Sequence, residues 1–353
     1  MLKHKIITDI NEFKALKGVW PKSDIFTSHE WLFNWYLSFG KADQLFIITL
    51  YRDQKLCAIF PFMIKKERFK KLQFIGHESS DYLDFMILSL DRENCLLKMF
   101  EVLKENKSSW DYIDLIFLRS DSPNLPFLAA RSMMKKVDRS LGLDLKGARD
   151  IEDFMAGLGS STRYDLRRKK KRLYNAGQVN FEIVRGRDAI EPLLGRFFEL
   201  LADRWDGFVN DERRDFYKRM AGDERLEFAT LKLKEDVLAM HFGFAQDGCY
   251  YYYTPAFNKE FSWFSPGKML VFHLLEEALK RGMKKFDLLR GGESYKYLWT
   301  KNELDLYRFF MVNNSLKGHL VSAISSLKDY VRSKDSLRGL ARRLAGKKEP
   351  VCS

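Results

Sequence analysis

Long apolar runs are missing from this chain. No stretch of its 353 residues nears the roughly 18 uninterrupted apolar positions of a membrane-spanning helix. The opening Met1-Leu2-Lys3-His4-Lys5 is basic but passes into Thr8-Asp9-Ile10-Asn11-Glu12, not into an apolar segment, so no signal peptide is expected. Cysteine is scarce as well. Cys57, Cys95, Cys249 and Cys352 lie far apart and form no metal-type pair. No metal site is expected, and a reduced, cytoplasmic setting fits this usage. Cys57 and Cys249 fall inside apolar, strand-like runs, where packing is the expected role.

What the chain does have is apolar material and positive charge. Hydrophobic residues make up 46% and aromatics 14%, enough for packed cores, and the length suggests about two domains. The formal charge of +13 favours anionic partners: a nucleotide cofactor, a nucleic acid or an anionic bilayer surface. Much of the excess is gathered at Arg163 to Arg172 and in the tail beyond Leu316, which argues against a continuous nucleic-acid face.

Periodicity gives the order of elements. Residues 27–39 read as a helix capped by Ser28, with Trp31, Leu32, Trp35 and Phe39 on one face. Residues 45–51 and 56–64 read as a hairpin, 72–75 and 81–88 as strands, 92–106 as a helix and 112–118 as a strand. The polar, glycine-bearing stretch 138–150 is the expected boundary. Beyond it, the plan repeats. A basic helix at 160–176 is followed by a strand at 179–184 and helices at 188–205 and 211–221. A hairpin at 226–233 and 237–245, a strand at 249–254, a helix at 266–281 and strands at 285–289 and 306–312 complete it. The fold class expected is mixed-sheet α/β, with domains at 1–145 and 146–315 and a basic amphipathic tail at 316–353. The repeat is one of architecture, without visible sequence identity between the halves.

The most informative stretch is 250–297. A strand ending near Tyr253 leads to Ser265-Pro266-Gly267-Lys268-Met269, where a helix starts, and a strand through Leu288 follows. Free N–H groups and the helix dipole at such a start favour a pyrophosphate. Gly267 permits close backbone approach and Lys268 adds charge. The same tripeptide is also an ordinary helix-start turn. The next segment, Asp287-Leu288-Leu289-Arg290-Gly291-Gly292-Glu293-Ser294-Tyr295-Lys296-Tyr297, gathers acid, base, phenol and glycine at a strand end, where binding groups collect in α/β folds.

Residues 265–299, with Phe26-Thr27-Ser28-His29-Glu30-Trp31-Leu32, Ile59-Phe60-Pro61-Phe62 and Ser80-Asp81-Tyr82-Leu83-Asp84, resemble the GNAT-superfamily proteins called CelD/BcsL-like, associated with cellulose and other exopolysaccharide synthesis. The resemblance covers roughly residues 15–312. It implies two GNAT-like modules in tandem, related in shape to Fem-type aminoacyltransferases, with acyl-CoA (acetyl-CoA) held by the C-terminal module at Tyr253, Ser265, Gly267, Lys268, Met269 and Leu288. Ser265-Pro266-Gly267 stands where that superfamily usually has a basic or Gln residue followed by Gly-x-Gly or Gly-x-Ala.

The reaction implied is attack by an acceptor amine or hydroxyl on the thioester, with a base taking the proton. Asp287, Glu293 and His241 are the base candidates; alternation puts His241 opposite Met240, Phe242 and Phe244, where a packing role is the alternative. Tyr295 could return a proton to the thiolate, and Lys296 could hold an anionic acceptor group. Asp81, Tyr82 and Asp84, with Arg290, are candidates for binding a saccharide or its precursor. Two alternatives stay open: a Fem-like transferase using aminoacyl-tRNA, and a non-catalytic accessory subunit of a polysaccharide synthase. The basic helix is either a solvated face or an attractor for an anionic donor, and the tail could rest on an anionic membrane or on a synthase.

Overall fold

A computed structural model describes residues 2–324 apart from 78 and 206. The first half runs β1 (Lys3–Ile7), α1 (Ile10–Ala15), α2 (His29–Trp35), β2 (Gln44–Arg52), β3 (Lys55–Lys66), β4 (Lys70–Phe74), β5 (Met86–Ile87), α3 (Arg92–Glu105), β6 (Tyr112–Arg119), α4 (Leu125–Ala129) and β7 (Met133–Asp144). The second runs α5 (Ile151–Ala156), α6 (Ser160–Asn175), β8 (Val179–Val184), α7 (Arg187–Arg204), α8 (Asp211–Met220), β9 (Leu226–Leu233), β10 (Asp236–Gln246), β11 (Cys249–Phe257), α9 (Pro266–Lys280), β12 (Lys285–Arg290) and β13 (Glu303–Val312).

Local chemistry explains most of these limits. The Ser28 side chain accepts from the Trp31 N–H and starts α2. Asp53 and Gln54 both take positive φ, 50° and 66°, and close the β2–β3 hairpin with the twist that strand pairs favour. α9 starts at Pro266, whose missing N–H needs no partner at that position.

All strands share one mixed sheet, ordered β1-β2-β3-β4-β6-β13-β7-β12-β11-β10-β9-β8, with β5 beside β3. Two neighbouring pairs are parallel, β4 with β6 and β11 with β12, each joined through one long helix, α3 or α9. Both second strands carry a non-glycine residue in the left-handed region, Phe117 (φ 63°) in β6 and Leu289 (φ 62°) in β12. This is the architectural repeat. Its two copies are locked at the centre, because β7 pairs with β12, β13 pairs with β6, and β7 and β13 pair with each other. Each half lends its last strand to the other. The result is a mixed α/β fold with one large sheet.

The core follows the same logic. One apolar cluster includes Phe13, Phe26, Trp31 and Phe60 from the first half and Phe197, Phe216, Tyr217 and Phe242 from the second. The Trp31 ring meets Phe216 at 5.0 Å and Tyr253 at 5.2 Å, edge to face. A second cluster packs α9 and α5 against Leu143, Leu231, Tyr250 and Phe286.

Two expectations change. Residues 81–88 do not form a strand; only Met86–Ile87 pairs. Their polar side chains are engaged instead: Tyr82 donates to distant Asp287, and Asp84 accepts from the adjacent Phe85 N–H and from distant Asn124. The stretch from 138 is not a linker at its start, since β7 runs to Asp144 in the middle of the sheet. Residues 135–137 of that strand are exposed, so its composition imitates a loop. The expected basic tail lies outside the described residues beyond 324.

Candidate functional site

The parallel pairing of β11 and β12 ends at Tyr251 and Asp287, and no ladder pair joins the two strands further on. β11 also bulges there, with Tyr252 and Tyr253 between the pairs Tyr251–Phe244 and Thr254–Phe242. The diverging strands open a cleft of about 320 Å³ lined by Tyr252, Tyr253, Leu288, Arg290, Glu293 and Tyr295 from the second half and by Ser79 and Asp81 from the first. A more apolar branch of about 250 Å³ shares Arg204, Tyr252, Pro255 and Tyr295 with it and reaches Ser265, Pro266, Gly267 and Lys268. The helix start and the strand-end loop therefore border two adjoining cavities, together termed the channel, that share a wall.

The α9 end of that channel is a helix start with free backbone N–H groups. Ser265 sits in the left-handed region (φ 53°) and turns the chain into the helix. The first backbone bonds run from the Lys268 and Met269 N–H groups to the Ser265 carbonyl, so the Gly267 N–H precedes them. A Cβ on Gly267 would meet the Phe257 ring at 3.6 Å, ordinary contact; the glycine keeps the branch open. Lys268 is engaged by Asp165 at 3.0 Å. Burial pushes Asp165 up, yet hydrogen bonds from Lys268, Lys169 and Arg168 hold it down at about 2. Met269 is fully buried in the core. Beside this end lies an exposed patch of Arg168, Lys171, Arg172 and Trp263, with the Arg172 guanidinium 4.3 Å from the Trp263 ring centre.

At the other end, Asp81 pairs with Arg290 across the two halves at 3.1 Å. Burial lifts the Asp81 carboxyl to about 6, against the opposing pull of Arg290 and Lys296. Hydrogen bonds at Ser80 tie down the turn that leads to Asp81. Gly76 takes φ 92°, the Ser80 hydroxyl bonds back to the Gly76 carbonyl, and the Trp31 indole N–H donates to Ser80 Oγ at 2.8 Å. The Arg290 guanidinium lies flat on the Phe117 ring, 3.9 Å from its centre. Gly291, at φ 107°, takes a backbone conformation that favours glycine, and a Cβ there would displace the Glu293 carboxylate, 2.5 Å away at Oε2.

Lys296 has a different task from the one its charge suggests. It is almost wholly buried, and its ammonium donates to the carbonyls of Leu289, Arg290 and Gly291 and pairs with Glu293 at 2.9 Å. It staples the turn after β12, with no donor left for a ligand. Glu293 and Tyr295 line the cleft; burial raises the Tyr295 phenol. The Tyr253 hydroxyl donates to the Ser79 carbonyl.

Asp287 is not part of this assembly. Its carboxylate accepts from Tyr82 Oη (2.8 Å), the Leu289 N–H (2.9 Å) and Lys285 Nζ (2.8 Å), and it borders a separate cleft with Arg119 and Lys284. His241 lies behind the wall. Its ring stacks on Tyr252 at 4.4 Å, Nδ1 meets Tyr250 Oη at 3.1 Å, and burial lowers it to about 3, so it is neutral. Alternation does place it opposite Met240, Phe242 and Phe244. Tyr82 and Asp84 face away from the channel, and Asp81 alone of that trio lines it.

Several channel residues escaped the sequence reading: Ser79, Tyr252, Arg204, Trp205, Phe208 and Arg213. The last four surround the junction of α7 and α8: Arg204 ends α7, Trp205 and Phe208 lie in the turn, and Arg213 is in the first turn of α8. Gly207, flanked by Trp205 and Phe208, marks that junction, but apolar periodicity carries the expected helix one residue too far.

Residues 160–297 match the family model described as an acetyltransferase (GNAT) domain. That span contains the start of α9, both diverging strands and the turn after β12, so the second half carries a GNAT-type acetyltransferase domain. The protein is an acyltransferase. Similar solved folds extend over both halves. FemX is 13% identical, with a TM-score of 0.58 over 88% of this chain and 97% of that one. A C-terminal domain assigned to a lysylphosphatidylglycerol synthetase from Agrobacterium fabrum is 11% identical (TM-score 0.57; 90% and 97% covered). A tandem GNAT protein from the clavulanic acid biosynthesis pathway is 10% identical (TM-score 0.50; 89% and 99%). No curated protein matches the chain in sequence. Among the described residues no helix is long and apolar enough to cross a membrane, and no His/Cys/Asp/Glu group could hold a metal.

Proposed function

We propose that the chain transfers an acyl group, acetyl in the simplest case, from acyl-CoA to an amine or hydroxyl of a saccharide or saccharide precursor. The observation that carries this reading is the pair of adjoining cavities, one at the Ser265–Lys268 turn and one at the Asp81–Arg290 pair, that share Arg204, Tyr252, Pro255 and Tyr295. The pyrophosphate would rest on the Gly267 amide and the α9 dipole. The pantetheine arm would follow the apolar branch past Phe257, Pro255 and Tyr252. The thioester would then lie between Tyr253 and Leu288, where the strands diverge and backbone amides could receive the developing oxyanion.

The acceptor's N–H or O–H proton would pass to Asp81. Its carboxyl borders the channel, and a value of about 6 leaves it ionised at neutral pH yet a stronger base than a free carboxylate. The acceptor atom bonds to the thioester carbon, the C–S bond breaks, and the Tyr295 phenol returns a proton to the leaving thiolate. Arg290 orients Asp81, and Lys296 fixes the turn that carries Arg290. A saccharide acceptor is supported by the resemblance to CelD/BcsL-like proteins, which also motivates a link to exopolysaccharide synthesis. The patch of Arg168, Lys171, Arg172 and Trp263 suits the nucleotide end of CoA. It favours a second reading too, the acceptor end of a charged tRNA, and a steep salt dependence of tRNA binding would support that donor instead.

Isothermal titration of the whole chain with acetyl-CoA tests the first reading. Micromolar binding that Gly267→Trp abolishes is expected, and no binding of any acyl-CoA overturns it.

A further inference from the structure

The walls of the acceptor end are charged unevenly. On one wall each basic group has an acid: Arg290 has Asp81 and Lys296 has Glu293. The remaining lining acid, Asp138, accepts from its neighbour's N–H, that of Arg139. The wall at the α7–α8 junction carries two guanidinium groups, Arg204 and Arg213, and neither forms an ion pair with a carboxylate among the described residues. Arg204 lies over Trp205 at 4.1 Å and Phe257 at 4.5 Å, its Nη1 touching only the Pro255 carbonyl at 3.4 Å. Arg213 lies over Phe208 at 4.0 Å, and its enclosed Nε has no hydrogen-bond partner. The rings of Trp205 and Phe208 are 5.1 Å apart, so both guanidiniums edge one aromatic pair, and Trp205 is 36% exposed.

The Glu293 carboxylate acts on Arg204 only at a distance, so two part-buried guanidiniums on one wall are stabilised further when a ligand supplies an anion. Planar guanidiniums pinned on aromatic faces are suited to fork-like recognition of a phosphate or carboxylate. An exposed indole beside them offers the apolar face on which a sugar ring can lie, with its polar edge free. We propose that the acceptor is an anionic saccharide whose phosphate or carboxylate is held by Arg204 and Arg213 while its ring packs on Trp205. This deepens the preceding reading and rests on it for the transfer step, but the binding claim can be tested separately. The anion of the donor is placed elsewhere, at the Gly267 turn, so the two charged ends of the reactants do not compete.

The test is equilibrium binding to the full chain without donor, followed by tryptophan fluorescence and by saturation-transfer NMR. The probes are glucose 1-phosphate, glucuronic acid and methyl glucoside; acetyl-CoA is titrated in parallel. At least tenfold tighter binding of an anionic probe than of methyl glucoside is expected, and comparing the two acids separates phosphate from carboxylate recognition. Arg213→Met and Arg204→Met, which keep the apolar stem, should each erase that preference, and Arg213→Lys should restore part of it. Equal binding of charged and neutral sugars by the unmodified chain overturns the inference, and this comparison needs no variant to fold. Loss of acetyl-CoA affinity in Arg213→Met with sugar binding unchanged also overturns it, by assigning the guanidinium to the donor. If anionic sugars bind but no acyl-CoA does, the acceptor site stands and the acyltransfer reading fails.

Discussion

The two halves contain the same device, a parallel strand pair joined through a helix, and use it in opposite ways. In the first half, pairing of β4 with β6 ends at Leu72 and Ile113. The space beyond is closed: the Leu83 N–H donates to the Phe117 carbonyl, and Phe85 packs edge-on or tilted against Phe60, Phe62 and Phe74 at 5.1 to 5.7 Å. In the second half the matching space is the channel. The helix starts differ in the same sense. α3 follows Asp91 and has Glu93 in its first turn, whereas α9 follows Ser265 and has Gly267 and Lys268 and no acid there. A dipole already neutralised by its own acids has little left for a ligand's phosphate. Backbone geometry alone therefore does not make a binding site; the side chains filling or vacating the gap decide.

The sharpest way to break this comparison is at Asp81, the first-half acid that pairs with Arg290 in the channel. Asp81→Asn should lower turnover by about a thousandfold, while Asp84→Asn, outside the channel, should leave it near the unmodified rate. The rate of the unmodified enzyme should fall as pH drops through about 6, because burial raises the Asp81 carboxyl and only the ionised form accepts a proton. A pH–rate profile that keeps this limb in Asp81→Asn would assign it to another group.

Next in size is the contrast between helix starts. Gly267→Trp should raise the Kd for acetyl-CoA about a hundredfold, as the indole fills the apolar branch. Glu93→Trp, at the corresponding turn of α3, should not change it. Calorimetry that finds both variants impaired would mean that the first half also holds donor.

A smaller effect is expected where the halves are tied together. Tyr82→Phe leaves the buried Asp287 carboxylate short of one donor, which should cost about 1–3 kcal/mol in denaturant unfolding without altering acetyl-CoA binding. Unchanged stability would show that Lys285 and the Leu289 N–H satisfy the carboxylate unaided. The mildest change is Arg290→Gln. Removing the opposing charge should move the acid limb of the pH–rate profile upward by about one unit, lowering activity at pH 6 more than at pH 8. An unmoved limb would separate Arg290 from Asp81 functionally.

Much of the fold was legible because its signals are local. Ser28 caps a helix, Asp53 and Gln54 make a hairpin turn, and Pro266 starts α9, each through contacts within a few residues. β7 was illegible for the opposite reason: it is placed by strands from both halves, and its exposed residues 135–137 imitate a linker. In the site, sequence proximity misled. Asp287 and Arg290 stand three residues apart, yet the left-handed Leu289 between them sends one to the Tyr82 side and the other into the channel. Lys296 reads as a free cation until three carbonyls are found around it.

The sequence by itself therefore determined the class of fold, the helix start at Ser265–Lys268 and the strand-end loop rich in functional groups, because turn chemistry and periodicity act over a few residues. Only the tertiary structure decided which groups share a channel. It brought Asp81 to Arg290 across 209 positions, set Arg204 and Arg213 on one wall with no ion pair to a described carboxylate, and buried His241 behind Tyr252. Those outcomes depend on the exchange of β7 and β13 between halves and on burial, both set by contacts between residues far apart in the chain.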